Sequence, residues 1–141
     1  LIKHLEHIGI AVRSLDEALP VWRALGLVED RREEVPGQKV RTAFLSAGEP
    51  SIELLEPTSD DSPIAGFLAK RGPGIHHLCF AVENLEAMLD ELAHAGYRLI
   101  HRSPVPGAGG KKVAFLHPEA GKGVLIELSE DAAGGSSSGP A

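Results

Sequence analysis

Apolar residues alternate with small or polar ones through two nine-residue stretches, HLEHIGIAV at 4–12 and GIHHLCFAV at 74–82. Such alternation in segments rich in β-formers predicts a strand in each. After each strand, apolar residues recur every three or four positions: Leu15, Leu19 and Trp22, then Leu85, Met88, Leu89 and Leu92. That spacing predicts a helix. Ser14 and Asn84 stand where N-caps belong, Asp16, Glu17 and Glu86 follow in the first turns, and Gly26 and Gly96 stand at the ends. Pro20 lies beyond the free N–H groups of the first turn, so a kink or a shortened first helix is expected. Two further strands are predicted in each half, at 39–48 and 51–57, then at 111–118 and 123–129. Asp, Ser and Pro turn signals fill 59–74, with a short helix expected around 63–70.

The two halves repeat. Displacing the chain by 70 positions (77 − 7) lays His7 on His77, Ala11 on Ala81, Val12 on Val82, Leu15 on Leu85, Leu19 on Leu89 and Gly26 on Gly96 without a gap. Farther on, Phe44-Leu45 matches Phe115-Leu116 and Ile52-Glu53-Leu54 matches Ile126-Glu127-Leu128, the second half carrying three extra residues between these points. The period is too long for a solenoid unit and two copies fill the chain, so a duplicated module is the simpler reading. The expected fold is α+β: two tandem βαβββ modules, about 4–58 and 74–130, joined by a linker at 59–73 within a single domain spanning 1–130. Residues 131–141, rich in Gly and Ser, are expected to be a flexible tail.

Side chains alternate between the faces of a strand. Ile8, Ile10 and Val12 share one face, while His7, Gly9 and Ala11 share the other. Leu78, Phe80 and Val82 oppose His77, Cys79 and Ala81 in the same way. The bulky faces can pack beneath the helices. The faces with small residues leave room, and four ionisable groups fall on them in matched pairs: His7 with His77, and Glu53 with Glu127. Two imidazoles and two carboxylates converging on one cavity form a ligand set for a divalent metal. His4, His76, His94, His101 and His117 have no such support and are read as ordinary structural or surface residues.

Composition narrows the remaining choices. With 141 residues and 43% hydrophobic content, the chain can bury a core as an ordinary globular domain. A net charge of −6 argues against nucleic-acid binding. No apolar run approaches the roughly 18 residues of a membrane span, and no signal-peptide pattern stands at the start. The single cysteine, Cys79, lies in an apolar run and suits a reducing compartment, so a cytoplasmic location is expected.

The segments HIGIAV at 7–12, IELLEP at 52–57, DSPIAGFLAKRGPGIHHLCFAV at 61–82 and KKVAFLHPEAGKGVLIEL at 111–128 give the chain a resemblance to the vicinal oxygen chelate superfamily. Within it, the chain resembles the methylmalonyl-CoA epimerase family over about residues 4–130. The resemblance implies modules closing into a half-open barrel around a metal held by His7, Glu53, His77 and Glu127. It implies Co2+, with Mn2+, Ni2+ or Zn2+ able to substitute, an acyl-CoA substrate and a homodimer. It also implies interconversion of (2R)- and (2S)-methylmalonyl-CoA through an enolate, with Glu53 and Glu127 carrying protons on opposite faces of C2. One departure stands out: some of these epimerases carry an acid–base glutamate in the strand matching QKVRTAF, where this chain has Thr42. Threonine cannot act as a general base near neutral pH. GAGGKK at 107–112 offers glycines and two lysines to a CoA phosphate but lacks a phosphate-loop pattern. Two rival readings use the same scaffold: a glyoxalase I-type metal-dependent lyase, and a non-catalytic small-molecule binding protein.

Overall fold

The structure is a computed structural model that describes residues 1–46 and 48–132, so the expected tail lies outside the described residues from 133 onward. The chain runs β1 (Ile2–Ala11), α1 (Leu15–Ala24), β2 (Val28–Val35), β3 (Val40–Ser46), β4 (Ser51–Pro57), α2 (Pro63–Arg71), β5 (Gly74–Val82), α3 (Leu85–His94), β6 (Val105–Pro106), β7 (Lys112–Phe115) and β8 (Ile126–Glu130). Each half is a βαβββ module with α2 in the linker, a mixed α+β architecture. Two strands in this order, β2 and β6, were not among those predicted. The residues pack as two bodies: 6–77, and 1–5 together with 78 onward.

In the first body the strands lie in the order β2-β3-β4-β1, antiparallel except for the parallel pair β1–β4. Val12, Leu15, Leu19, Ala43, Leu45 and Leu54 form its core, with Ile10, Trp22 and Ile52 packed against them. The bulky face of β1 therefore does lie against its own helix. The Ser14 hydroxyl accepts from the Glu17 N–H, confirming the predicted N-cap. Beside it, the Glu56 carboxylate at the end of β4 accepts from Leu15 N–H at 2.9 Å. Gly26 adopts φ +101° just past the helix, the left-handed stop that favours glycine. Pro20 does not shorten α1, which has ten residues like α3. Pro20 deprives the Asp16 carbonyl of a donor, and both residues are exposed.

The second body repeats the plan. Its order is β5-β8-β7-β6, with β5–β8 parallel and the rest antiparallel. Its core is Val82, Leu85, Leu89, Ala114, Leu116 and Leu128. Each member stands at the repeat position of a member of the first core. Asn84 caps α3 by accepting from Ala87 N–H, and Glu130 accepts from Leu85 N–H at 2.7 Å, just as Glu56 does for Leu15. The last strand begins at Ile126 rather than 123. The three extra residues of this half are taken up by a chain of turns over 117–124, in which Gly123 N–H reaches the Pro118 carbonyl and both Lys122 and Gly123 have positive φ.

Candidate metal centre

His7 on β1, Glu53 on β4 and His77 at the start of β5 come together in the first body. Each sits on the face away from the helix, as the alternation predicts. Gly9 pairs with Glu53 across the parallel strands, and Phe44 pairs with Glu53 across the antiparallel ones. The three residues are 5–7% exposed. Burial of that degree is costly for groups that prefer water, unless polar partners or a cation compensate.

The Nε2 atoms of His7 and His77 stand 3.0 Å apart, with the rings edge to face at 82°. Nitrogens that close could both be reached by one cation. Glu53 Oε2 lies 3.0 Å from His7 Nδ1, and the Glu6 carboxylate also contacts that nitrogen. On His77 the Nδ1 atom is 3.0 Å from Nδ1 of His76, whose ring meets Phe67 edge-on at 5.1 Å. The ring of His77 lies in a space kept open by Gly9: a Cβ there would stand 2.2 Å from Cε1. The two facing Nε2 atoms, in a cradle only glycine can leave, are a pair of donors that suits a divalent cation, while the Glu53 carboxylate stands at the other nitrogen of His7.

Glu127 belongs to the second body. It is 6% exposed, on β8, in register with Cys79 on β5 and Phe115 on β7, as Glu53 is with Gly9 and Phe44. Two residues farther along the same face, Ser129 Oγ is buried without a hydrogen-bond partner among the described residues. Left unmet, such a group costs on the order of 1–3 kcal/mol, and a bound molecule would satisfy it.

Thr42 is buried on β3, diagonal to Glu53 and paired with Leu55. In the glycine-rich segment, Ala108–Gly110 form a short 3-10 turn, and Lys111 Nζ is 3.3 Å from the Asp131 carboxylate. Three of the histidines read as structural have backbone partners. His94 donates to the Asp90 carbonyl, and His101 and His117 accept from Phe115 N–H and Glu119 N–H. His4 is exposed. His76 departs from that reading because it touches His77. Glu6 was not singled out by the sequence either, although displacement by 70 lays it on His76; Gly9 stands on the face that the alternation leaves roomy, as expected.

The sequence profile of the Glyoxalase/Bleomycin resistance protein/Dioxygenase superfamily matches residues 6–115, and the chain belongs to that superfamily. Among individual relatives, an uncharacterised Bacillus subtilis protein, YqjC, is 44% identical over 92% of this chain and 93% of its own. An ethylmalonyl-CoA/methylmalonyl-CoA epimerase from Cereibacter sphaeroides is 41% identical over 92% of this chain and 99% of its own. A methylmalonyl-CoA epimerase solved in complex with methylmalonyl-CoA and NH4+ superposes with a TM-score of 0.90 at 34% identity, over 94% of this chain and 97% of that one.

Proposed function

We propose that this protein is a methylmalonyl-CoA epimerase, an isomerase that inverts C2 of methylmalonyl-CoA. The observation that carries the proposal is the near full-length likeness to epimerases, one of them solved with methylmalonyl-CoA. The paired Nε2 atoms of buried His7 and His77, with the Glu53 carboxylate at His7 Nδ1, supply the chemical support. Ligand chemistry alone would serve a glyoxalase-type lyase equally well; the relatives favour the epimerase.

His7, Glu53 and His77 hold a divalent cation in this reading, and Glu127, their partner in the repeat, is proposed as the fourth ligand. The ion proposed is Co2+, with Mn2+, Ni2+ or Zn2+ as substitutes. When bound, it supplies Lewis-acid stabilisation of the charge that gathers on the thioester oxygen as C2 loses its proton. The protein must then remove a proton from one face of C2 and return one to the other. Thr42 has no basic group, so Glu53 and Glu127 are the two carboxylates assigned to that exchange, one taking the proton and the other giving it. The buried setting of each excludes water that would compete for the proton. A homodimer in the cytoplasm is the proposed setting, on the family resemblance and the single buried thiol of Cys79.

The test is C2 deuterium exchange and epimerisation of methylmalonyl-CoA by protein stripped of metal and reloaded with Co2+, run beside consumption of the methylglyoxal–glutathione adduct. Exchange and inversion of the thioester without adduct consumption is the expected result. Adduct consumption alone identifies a lyase, and metal uptake with neither activity identifies a binding protein. Full exchange by Glu53→Gln removes Glu53 from the proton-carrying role.

A further inference from the structure

Each histidine of the centre touches, through Nδ1, the residue immediately before it in sequence. Glu6 meets His7 Nδ1, and His76 Nδ1 lies 3.0 Å from His77 Nδ1. These two supports stand 70 residues apart (76 − 6), the displacement that relates His7 to His77. We infer that Glu6 and His76 are positioning residues that hold the two imidazoles with Nδ1 protonated and Nε2 presented to the cation. The inference rests on the metal-centre reading above.

A neutral imidazole carries one N–H. If Nε2 is to offer its lone pair, the proton must sit on Nδ1 and needs an acceptor there. For His7 the acceptor is the Glu6 carboxylate. Glu53 Oε2 also lies 3.0 Å from that nitrogen, but Glu53 is assigned to the cation and to proton exchange. When Glu53 is so engaged, Glu6 is the carboxylate that keeps hold of Nδ1. For His77 the acceptor is Nδ1 of His76, which must then carry its own proton on Nε2. His76 is kept in place by its edge contact with Phe67 on α2. The two halves thus use the same position for the same task with different chemistry, an anion in one and a neutral ring in the other. Outer partners of ligating histidines fix the ring and its tautomer, and their loss typically weakens metal binding by about 10–100-fold.

The experiment compares wild type with Glu6→Ala, Glu6→Gln, His76→Ala and His76→Gln. Co2+ affinity is measured by competition with a chromophoric chelator, and the histidine N–H signals of the Zn2+-loaded protein by nitrogen-15 correlation spectroscopy. Wild type should show two exchange-protected Nδ1–H signals. Glu6→Ala should lose protection at His7 and His76→Ala at His77, each binding Co2+ about 10–100-fold more weakly. The Gln variants, which keep an acceptor, should recover most of the affinity, and the metal-free melting temperatures should stay together. Unchanged affinity and protection in both Ala variants would overturn the inference while leaving the metal centre intact. Affinity that falls only in step with melting temperature, without rescue by Gln, would overturn it too. A wild-type protein that takes up neither ion would end the metal-centre reading, and the inference with it.

Discussion

The imidazole of His77 rests directly on the bare Cα of Gly9, so close that a single added carbon would stand 2.2 Å from Cε1 and 2.7 Å from Nε2. No real Cβ tolerates such an approach, and the obstacle is the ring whose Nε2 is proposed to bind the cation. Gly9→Ala should therefore swing His77 out of place. Overpacking of this kind costs about 1–3 kcal/mol, which if expressed in metal binding weakens Co2+ affinity by roughly 5–150-fold. Gly74→Ala, at a site with nothing within 4 Å, serves as the control and should bind normally. Chelator competition on both variants checks the difference.

The twin cores make a second prediction. Leu19 and Leu89 are both fully buried at matching positions, each among the same kinds of neighbours in its own body. Leu19→Ala and Leu89→Ala should each cost about 2–5 kcal/mol, the range for truncating a buried leucine. Urea denaturation should find the two losses similar, because the repeat has kept the surroundings of both.

Glu56 and Glu130 carry out the same capping in the two halves, accepting from Leu15 N–H and Leu85 N–H at the helix starts. Each adds a negative charge where the helix dipole is positive. Glu56→Ala and Glu130→Ala should each lower stability by about 0.5–2 kcal/mol. The corresponding Gln variants should lose less, since an acceptor oxygen remains. Thermal melts of the four variants decide it.

Acid should weaken one surface cluster in a defined way. The hydrogen bond from Arg32, aided by Arg23, holds the Glu29 carboxyl below its ordinary value. A carboxylate depressed in the folded state contributes its stability above the unfolded pKa, about 4.3, and loses it as pH falls through the lower folded value. These charges are solvent-screened, so the contribution is at most about 1 kcal/mol. Glu29→Gln should be slightly less stable than wild type at pH 7 and indistinguishable at pH 2, as followed by denaturant titration.

Much of this architecture was legible because it is written twice. A single histidine in an apolar strand carries little information, but His7 and His77 fall at one displacement, as do Leu15 with Leu85 and Leu19 with Leu89. What is not written in the local sequence depends on tertiary surroundings. The segment Val28–Val35 has six consecutive charged residues and no β-forming character of its own. It is a strand because β3 is beside it: Arg31 lies over the Phe44 ring at 3.8 Å, and Arg23, Arg32 and Glu29 settle one another's charge. Val105–Pro106 is too short for any periodicity. The capping by Glu56 and Glu130 links residues 41 and 45 positions apart, beyond the reach of local capping rules. Glu6 and His76 could have been found, since they share the displacement of the histidines they touch. One is a glutamate and the other a histidine, so the repeat shows no identity at that position.

The outermost strands of the two bodies have a consequence for how copies of this chain meet. A bare sheet margin invites a second molecule to add its own strand. β2 answers with a dense run of both signs of charge, and β6 with only two residues, one of them Pro106, which has no N–H to give. Sheet-to-sheet polymerisation, the route to fibres, is thereby discouraged at either margin.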